Sequence, residues 1–538
     1  MKNIKILLLA VTILLSACNS LNIAPKDSYS DQALWKDQSL IEMYVNQQYN
    51  ALVEQTDFYF ISWYSDETFF KYDAYNVLNV RENILTADNV SSLSTVLNYW
   101  NIGYSYIHNI NVFFQNIEKA DVDKDFKARM IAEVKFIRAF IYFRLTNSFG
   151  GVPIIETVYN TQSNWSGVKR NTYDQCVTYM LEDIDDVIST LPDRPDTRNR
   201  ASANAARALK ARLLLYYASP LHNPNNDISR WQAAADAAKD LFNRGYSLCD
   251  DYRSMFFDLS NSEYIFAKEY SETYYHSMGF NCACCGSGGF AQLAPSQNIV
   301  DAYETTDGQI PVLNSVTGEV NPQSIYDPAN PYNNRDPRFY DSIYYNGAQA
   351  TGNRTVESFV GGADMLSQDM TVTGYYFRKL INENDPIGRF NHYTTPWPIF
   401  RLAEMYLNYA EAEYHLGNED IAREYVNMVR ARASVSMPPI TETGENLLQR
   451  VHHEREIELA FEGHRVFDKK RWKTPENNPI VGLTITKESN GKFTYARKVL
   501  SLSSRETNWS EKFFLLPIPY TEIQKSYGSI EQNPGYIQ

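Results

Sequence analysis

The chain has 538 residues, room for several domains or one large helical body. With 24 Gly and 22 Pro it is too poor in chain breakers for a disordered or collagen-like protein, and a 44 % hydrophobic share supplies sizeable cores. Fifty Lys and Arg against 64 Asp and Glu leave a net charge of −14, which repels phosphate backbones and argues against a nucleic-acid partner.

The first elements concern location. Lys2 and Lys5 precede an apolar run from Ile6 to Leu15, too short for a hydrocarbon core that needs about 20 residues. Residues 1–17 therefore read as a secretory signal. Its ending, Leu15-Ser16-Ala17-Cys18, resembles that of a bacterial lipoprotein, in which Cys18 becomes the acylated first residue. No later segment is apolar enough to span a bilayer.

Next comes an aromatic cluster, Trp63 to Tyr75, without helical spacing, which predicts a loop. Helices follow in pairs. Apolar residues recur at helical intervals over Ser94–Ile117, Phe126–Phe149 and Tyr173–Ile188. Gly150-Gly151 and Pro153 stop the second of these. The alanine-rich run Ser202–Tyr217 suits close packing, and Ser229 is placed to cap a helix over Trp231–Asn243. Residues 18–246 thus form an N-terminal helical region. Residues 247–538 form a second one, in which Ser247–Pro398 is rich in Gly, Asn, Pro, Ser and Tyr, with short β-like runs at Ser342–Tyr345 and Thr373–Tyr376. Long stretches of this kind supply binding loops packed on a scaffold.

Within it lie Tyr270–His276 and the loop Cys282-Ala283-Cys284-Cys285-Gly286-Ser287-Gly288-Gly289. Three sulfurs within four residues fit tetrahedral zinc poorly, so no metal is assigned, and a local disulfide and free thiols remain alternatives. Helical periodicity returns in a hairpin at 399–433, broken at Gly417-Asn418. Hairpins of about 34 residues with Leu-Gly near the turn are the tetratricopeptide pattern. Pro475–Ser510 is read as irregular. The expected fold is mainly α: a tetratricopeptide-like helical-hairpin scaffold carrying a loop-rich portion with short β-strands.

Glu454, Glu458 and Glu462 recur every four residues beside His452, His453 and His464. Charges three apart (Arg455–Glu458, Glu462–Arg465, Arg465–Asp468, Asp468–Arg471) predict a neutralising ion-pair network rather than catalysis. Phosphate-loop, nucleophile-elbow and dinucleotide motifs are missing, no zinc-type His-Glu-x-x-His is present, and no catalytic residue or cofactor is assigned.

Several runs carry a resemblance. Ile131–Phe143 followed by Phe149-Gly150-Gly151-Val152-Pro153, Asn334–Phe339, Gly374–Lys379, Arg401–Ala412, Glu454–Arg465 with Asp468 and Arg471-Trp472, Leu516–Pro519 and Gln532–Tyr536 together resemble, in order, the SusD/RagB family of outer-membrane nutrient-binding lipoproteins of Bacteroidetes. The resemblance implies a lipid-anchored cell-surface protein that binds oligosaccharides without cleaving them and passes them to a SusC-like TonB-dependent transporter. The alternatives are a surface glycoside hydrolase on a helical scaffold and a lid subunit with no ligand affinity of its own.

A pyranose offers a C–H face to aromatic rings and hydroxyls to polar groups. The candidate ligand contacts are therefore Trp63, Tyr64, Asp66, Phe69 and Tyr72 in the first aromatic cluster, and Tyr274 and Tyr275 in the second.

Overall fold

The computed structural model describes residues 34–52, 60–72, 74–160, 162–195, 198–366, 368–384, 392–501 and 505–537. The leader and Cys18 lie outside the described residues, as does the Cys285 side chain. Among the described residues no helix is long and apolar enough to cross a membrane.

Helix α1 (Gln38–Gln48) is capped by the Asp37 carboxylate. Helix α2 (Trp100–Ile117) opens later than its apolar rhythm predicts. Residues just ahead of it are spent on turns: the Ser94 N–H donates to the Tyr64 hydroxyl at 3.0 Å and Asn98 Nδ2 to the Val90 carbonyl at 3.0 Å. Helix α3 (Lys124–Phe149) starts where the Asp123 carboxylate accepts the Phe126 N–H at 2.9 Å. It stops at Gly150, whose φ of +72° disfavours any side chain.

A capping box of Thr172 and Gln175 opens α4 (Tyr173–Thr190), and Ser202 caps α5 (Ala203–Ala218). The cap of α6 (Ile228–Lys239) is Asp227, which accepts from the Ser229 N–H; Ser229, the expected cap, lies inside the helix. The late hairpin is α7 (Leu402–His415) and α8 (Glu419–Arg430).

From α2 to α8 each helix packs on its successor, and α6 packs directly on α7. The late hairpin therefore extends the early stack. The alanines of α5 at 203, 205, 206, 208 and 211 are all buried, which permits the close approach of its neighbours.

Residues 399–401, expected as helix, belong to a strand. Strand β1 (Tyr264–Lys268) pairs antiparallel with β4 (Trp397–Arg401), Tyr264 facing Arg401. Bulky Trp397, Ile399 and Phe400 with Pro398 favour extended backbone. The two β-like runs find each other: β2 (Ile343–Tyr344) pairs with β3 (Tyr376–Phe377). The stretch read as irregular holds the longest hairpin among the described residues, β5 (Val481–Lys487) with β6 (Phe493–Val499). Its inner face is Val481, Leu483 and Ile485.

The Glu454–Trp472 run is split into α9 (Gly444–Glu458) and α10 (Arg465–Arg471). Phe461 (φ +63°) and Gly463 (φ +85°) turn the chain between them. A one-turn helix, α11 (Tyr520–Lys525), lies near the C-terminus.

Candidate functional site

The break between α9 and α10 separates Glu462 from Arg465, and the charges within each helix turn to other elements of the fold. Among the described residues, Asp468–Arg471 is the one neighbouring pair of the four expected that forms, at 2.8 Å. The other charges reach across the fold. Glu458 meets Arg338, Arg401 and Arg432 at 2.9, 2.7 and 3.0 Å. Arg401 also binds Glu263 and Glu462, Lys379 binds Glu462, and Arg430 bridges Glu454 and Glu304. All of these groups are buried. Burial alone would raise the carboxyls, yet the Arg338 and Arg430 guanidiniums hold Glu454 down to about 2, and Arg432, Arg401 and Arg338 hold Glu458 lower still. Such carboxylates stay ionised and enclosed, which suits a scaffold. Glu133 with Arg200, Arg138 with Asp183, Glu404 with Arg212 and Glu411 with Arg471 serve the same role.

The first aromatic cluster divides into an inner and an outer half. Trp63 is only 1 % exposed: its indole stacks on Phe70 at 4.2 Å and its Nε1 donates to the Gln292 carbonyl at 2.7 Å. Tyr64 is buried, and its hydroxyl donates to the Tyr75 carbonyl. Asp66 is buried against Arg465 (2.8 and 3.0 Å) and Lys469 (2.9 Å); burial opposes its charge, but these cations outweigh it and hold the carboxyl well below the usual range. Phe69 is half-buried under the Arg81 guanidinium, 4.1 Å from the ring centroid. Trp63, Tyr64 and Asp66, expected as ligand contacts, are thus placed in the core beneath the loop. Tyr72 alone of the five stands out, 48 % exposed, with its hydroxyl 3.4 Å from Asp369 Oδ1 and the Lys71 ammonium over its ring.

In the second cluster both expected tyrosines are exposed. Hydrogen bonds between Ser271 and Tyr274 close a tight turn. Tyr274, 48 % exposed, stacks at 5.4 Å and 13° on buried Tyr270, and Lys268 lies over both rings. Tyr275 is exposed and packs against His392 at 4.1 Å. Buried His276 fixes the base of the turn, with Nε2 2.9 Å from the Thr395 carbonyl and the Met278 N–H donating to Nδ1.

Beside Tyr274 opens a cleft of about 370 Å³ whose wall includes Asn46, Asn50, Asn199, Arg200, Lys268 and Glu269. No local sequence signal points to these polar residues, because they come from α1 and the turn after it, the end of β1 and the loop before α5. Arg200 is aimed by Asn46 Oδ1 at 2.6 Å and Glu133 Oε2 at 2.5 Å. The first aromatic loop is stitched to the segment after the Cys-Gly loop by a Thr68–Pro295 bridge and by Phe69 N–H donating to the Ala294 carbonyl at 2.9 Å.

Cys176, Cys249 and Cys282 are free thiols, and Cys282 and Cys284 are buried. Among the described residues no group of His, Cys, Asp and Glu is arranged to hold a metal ion.

Two family models match this chain. One, described as the SusD family, covers residues 262–536; the other, described as starch-binding associating with outer membrane, covers residues 19–215. The chain belongs to the SusD family. A SusD-like protein of Formosa agariphila is 25 % identical over 420 residues, 73 % of each chain. A SusD-like protein of Bacteroides fragilis superposes with a TM-score of 0.78 at 27 % identity, over 95 % of this chain and all of the other. A SusD-like carbohydrate binding protein of the same species gives 0.75 at 25 % identity, over 92 % and 99 %. The mainly helical, tetratricopeptide-like fold of this chain is that of the SusD-like structures.

Proposed function

We propose that this SusD-family chain is a cell-surface lipoprotein, anchored through Cys18, that binds oligosaccharides without cleaving them and passes them to a SusC-like TonB-dependent outer-membrane transporter. The observation that carries the reading is Tyr274, presented to solvent on a buried tyrosine beside a cleft walled by amides and charges. A sugar ring lays its C–H face on Tyr274, with Tyr275 offering a further ring next to it in the same turn. Its hydroxyls exchange hydrogen bonds with Asn46, Asn50, Asn199, Arg200 and Glu269. Because the platform is braced before the ligand arrives, little ordering entropy is lost on binding. The paired carboxylates a glycosidase needs, one raised to act as acid, are not what the Glu454–Glu458–Glu462 series provides, since its members are held ionised by arginine.

The test is incubation of the purified mature chain with a glycan panel. Retention of one polysaccharide class without fragments, lost on Tyr274→Ala, supports the reading; released oligosaccharides refute it in favour of a hydrolase, and no retention at all favours a lid without affinity. Radiolabelled palmitate incorporation, abolished by Cys18→Ala, tests the anchor, and co-purification from solubilised outer membrane tests the transporter.

A further inference from the structure

A second cleft, of about 310 Å³, lies between α2, the 153–168 loop and the C-terminal segment around α11, and shares no residue with the cleft beside Tyr274. One face of α2 lines it, with Trp100 and Tyr104 as apolar floor and Asn101 and His108 as exposed polar rim. Opposite stand Tyr159 and Trp165, stacked at 4.4 Å and 27°, with Trp165 37 % exposed. An exposed indole is costly to leave in water and rigid once seated against a second ring.

The loop that carries Trp165 is built to hold it. The Ser166 N–H donates to Asn164 Oδ1 at 2.9 Å and the Val168 N–H to the Trp165 carbonyl at 3.1 Å. Nearer the helices, Asn111 Nδ2 donates to the Ile155 carbonyl at 2.9 Å, and the Ile155 N–H to the Tyr142 hydroxyl at 2.9 Å. The Tyr104 hydroxyl is occupied by the Pro153 carbonyl at 2.7 Å, so its ring rather than its O–H serves the cleft.

We infer that this cleft is a second saccharide site, which takes the pyranose end of an oligosaccharide between the Trp165 ring and the α2 floor, with Asn101 and His108 meeting its hydroxyls. The inference rests on the carbohydrate reading above and adds a site to it. Two separated sites on one chain raise apparent affinity for a long glycan by effective concentration, and leave short oligosaccharides weakly held.

The experiment uses the mature chain labelled with 5-fluorotryptophan, titrated with maltohexaose, laminarihexaose and xylohexaose in turn. Trp165→Ala assigns the resonance of that residue among the eight tryptophans. Expected is a Trp165 shift with at least one hexaose that persists in Tyr274→Ala, and a loss of about tenfold or more in affinity of that event in Tyr159→Ala. A stationary Trp165 resonance, while calorimetry records Tyr274-dependent binding of the same hexaose, overturns the second site alone. A Trp165 shift that vanishes in Tyr274→Ala overturns it too, as an echo of the first site. Silence of all three hexaoses by both methods, against retention of no polysaccharide in the panel, overturns the carbohydrate reading itself.

Discussion

The Asp66 carboxylate and the Arg465 guanidinium, 399 residues apart in the chain, meet in two hydrogen bonds of 2.8 and 3.0 Å. This pair ties the loop that presents Tyr72 to the start of α10. Arg465→Met leaves Asp66 with Lys469 alone in a buried setting and costs about 2 to 3 kcal/mol. Thermal unfolding measures the loss. Asp66→Asn in the same chain recovers part of it, because the under-compensated charge is gone; an unchanged melting temperature in Arg465→Met would show the pair to be dispensable.

Arg401 contacts Glu263, Glu458 and Glu462 at once. Its removal takes one cation from each of three buried carboxylates and leaves Glu263 with Arg432, Glu458 with Arg338 and Arg432, and Glu462 with Lys379, so Arg401→Met is expected to cost about 4 kcal/mol or more and to give insoluble protein. Arg212→Met, which loses one carboxylate, Glu404, and a hydrogen bond to the Ile399 carbonyl, should remain soluble with a lowered melting temperature. Parallel expression of the two variants checks this ordering.

Two aromatic substitutions should separate folding from binding. Trp63→Ala opens a void beneath the first loop and costs about 3 to 5 kcal/mol, with any loss of glycan binding following from that. Tyr274→Ala is expected to change stability by less than about 0.5 kcal/mol and to weaken binding about tenfold or more. Calorimetric unfolding and glycan titration on the same samples distinguish them; a stable Trp63→Ala that no longer binds would restore Trp63 as a contact.

Glu67 is buried, accepts hydrogen bonds from the Phe461 N–H and the Ser62 and Ser65 hydroxyls, and burial pushes its carboxyl from 4.5 up to about 7. Its folded pKa exceeds the unfolded one. Its contribution to stability is therefore complete below pH 4.5 and is lost as pH rises towards 7, at up to about 1.4 kcal/mol per pH unit. His222, His276, His415 and His464, driven below their usual value chiefly by burial, act in the opposite sense, so the readout is the difference between variant and parent. Relative to the parent, Glu67→Gln should gain stability steadily from pH 4.5 to 7. A flat difference curve would show that Glu67 is not protonated in the folded chain.

The helices were legible where local signals agree. Lys124–Phe149 has an acidic cap, an apolar rhythm and a glycine stop, and residues 126–149 were read directly. The hairpin of Val481–Lys487 and Phe493–Val499 was missed although its signal is present, an alternation of Val481, Leu483 and Ile485 ahead of Asn490-Gly491. The charge network was legible in composition but not in partners. Residues such as Arg338 and Glu458 meet only through the fold, and the break at Phe461 undoes helical spacing. Trp63 shows the limit for sites: a dense aromatic run looks alike whether its rings face the core or the solvent. Lone Trp165, and the amides beside Tyr274, left no local pattern at all.

The packing of α6 on α7 sets the timetable of folding. For a chain that emerges N-terminus first, the Trp231 indole, which stacks on His415 at 3.8 Å, lacks that cover until Leu402–His415 has been made and the whole loop-rich portion has passed. Folding intermediates of this protein should therefore be sticky, and a holdase that shields the indole during export would be needed most at mid-length.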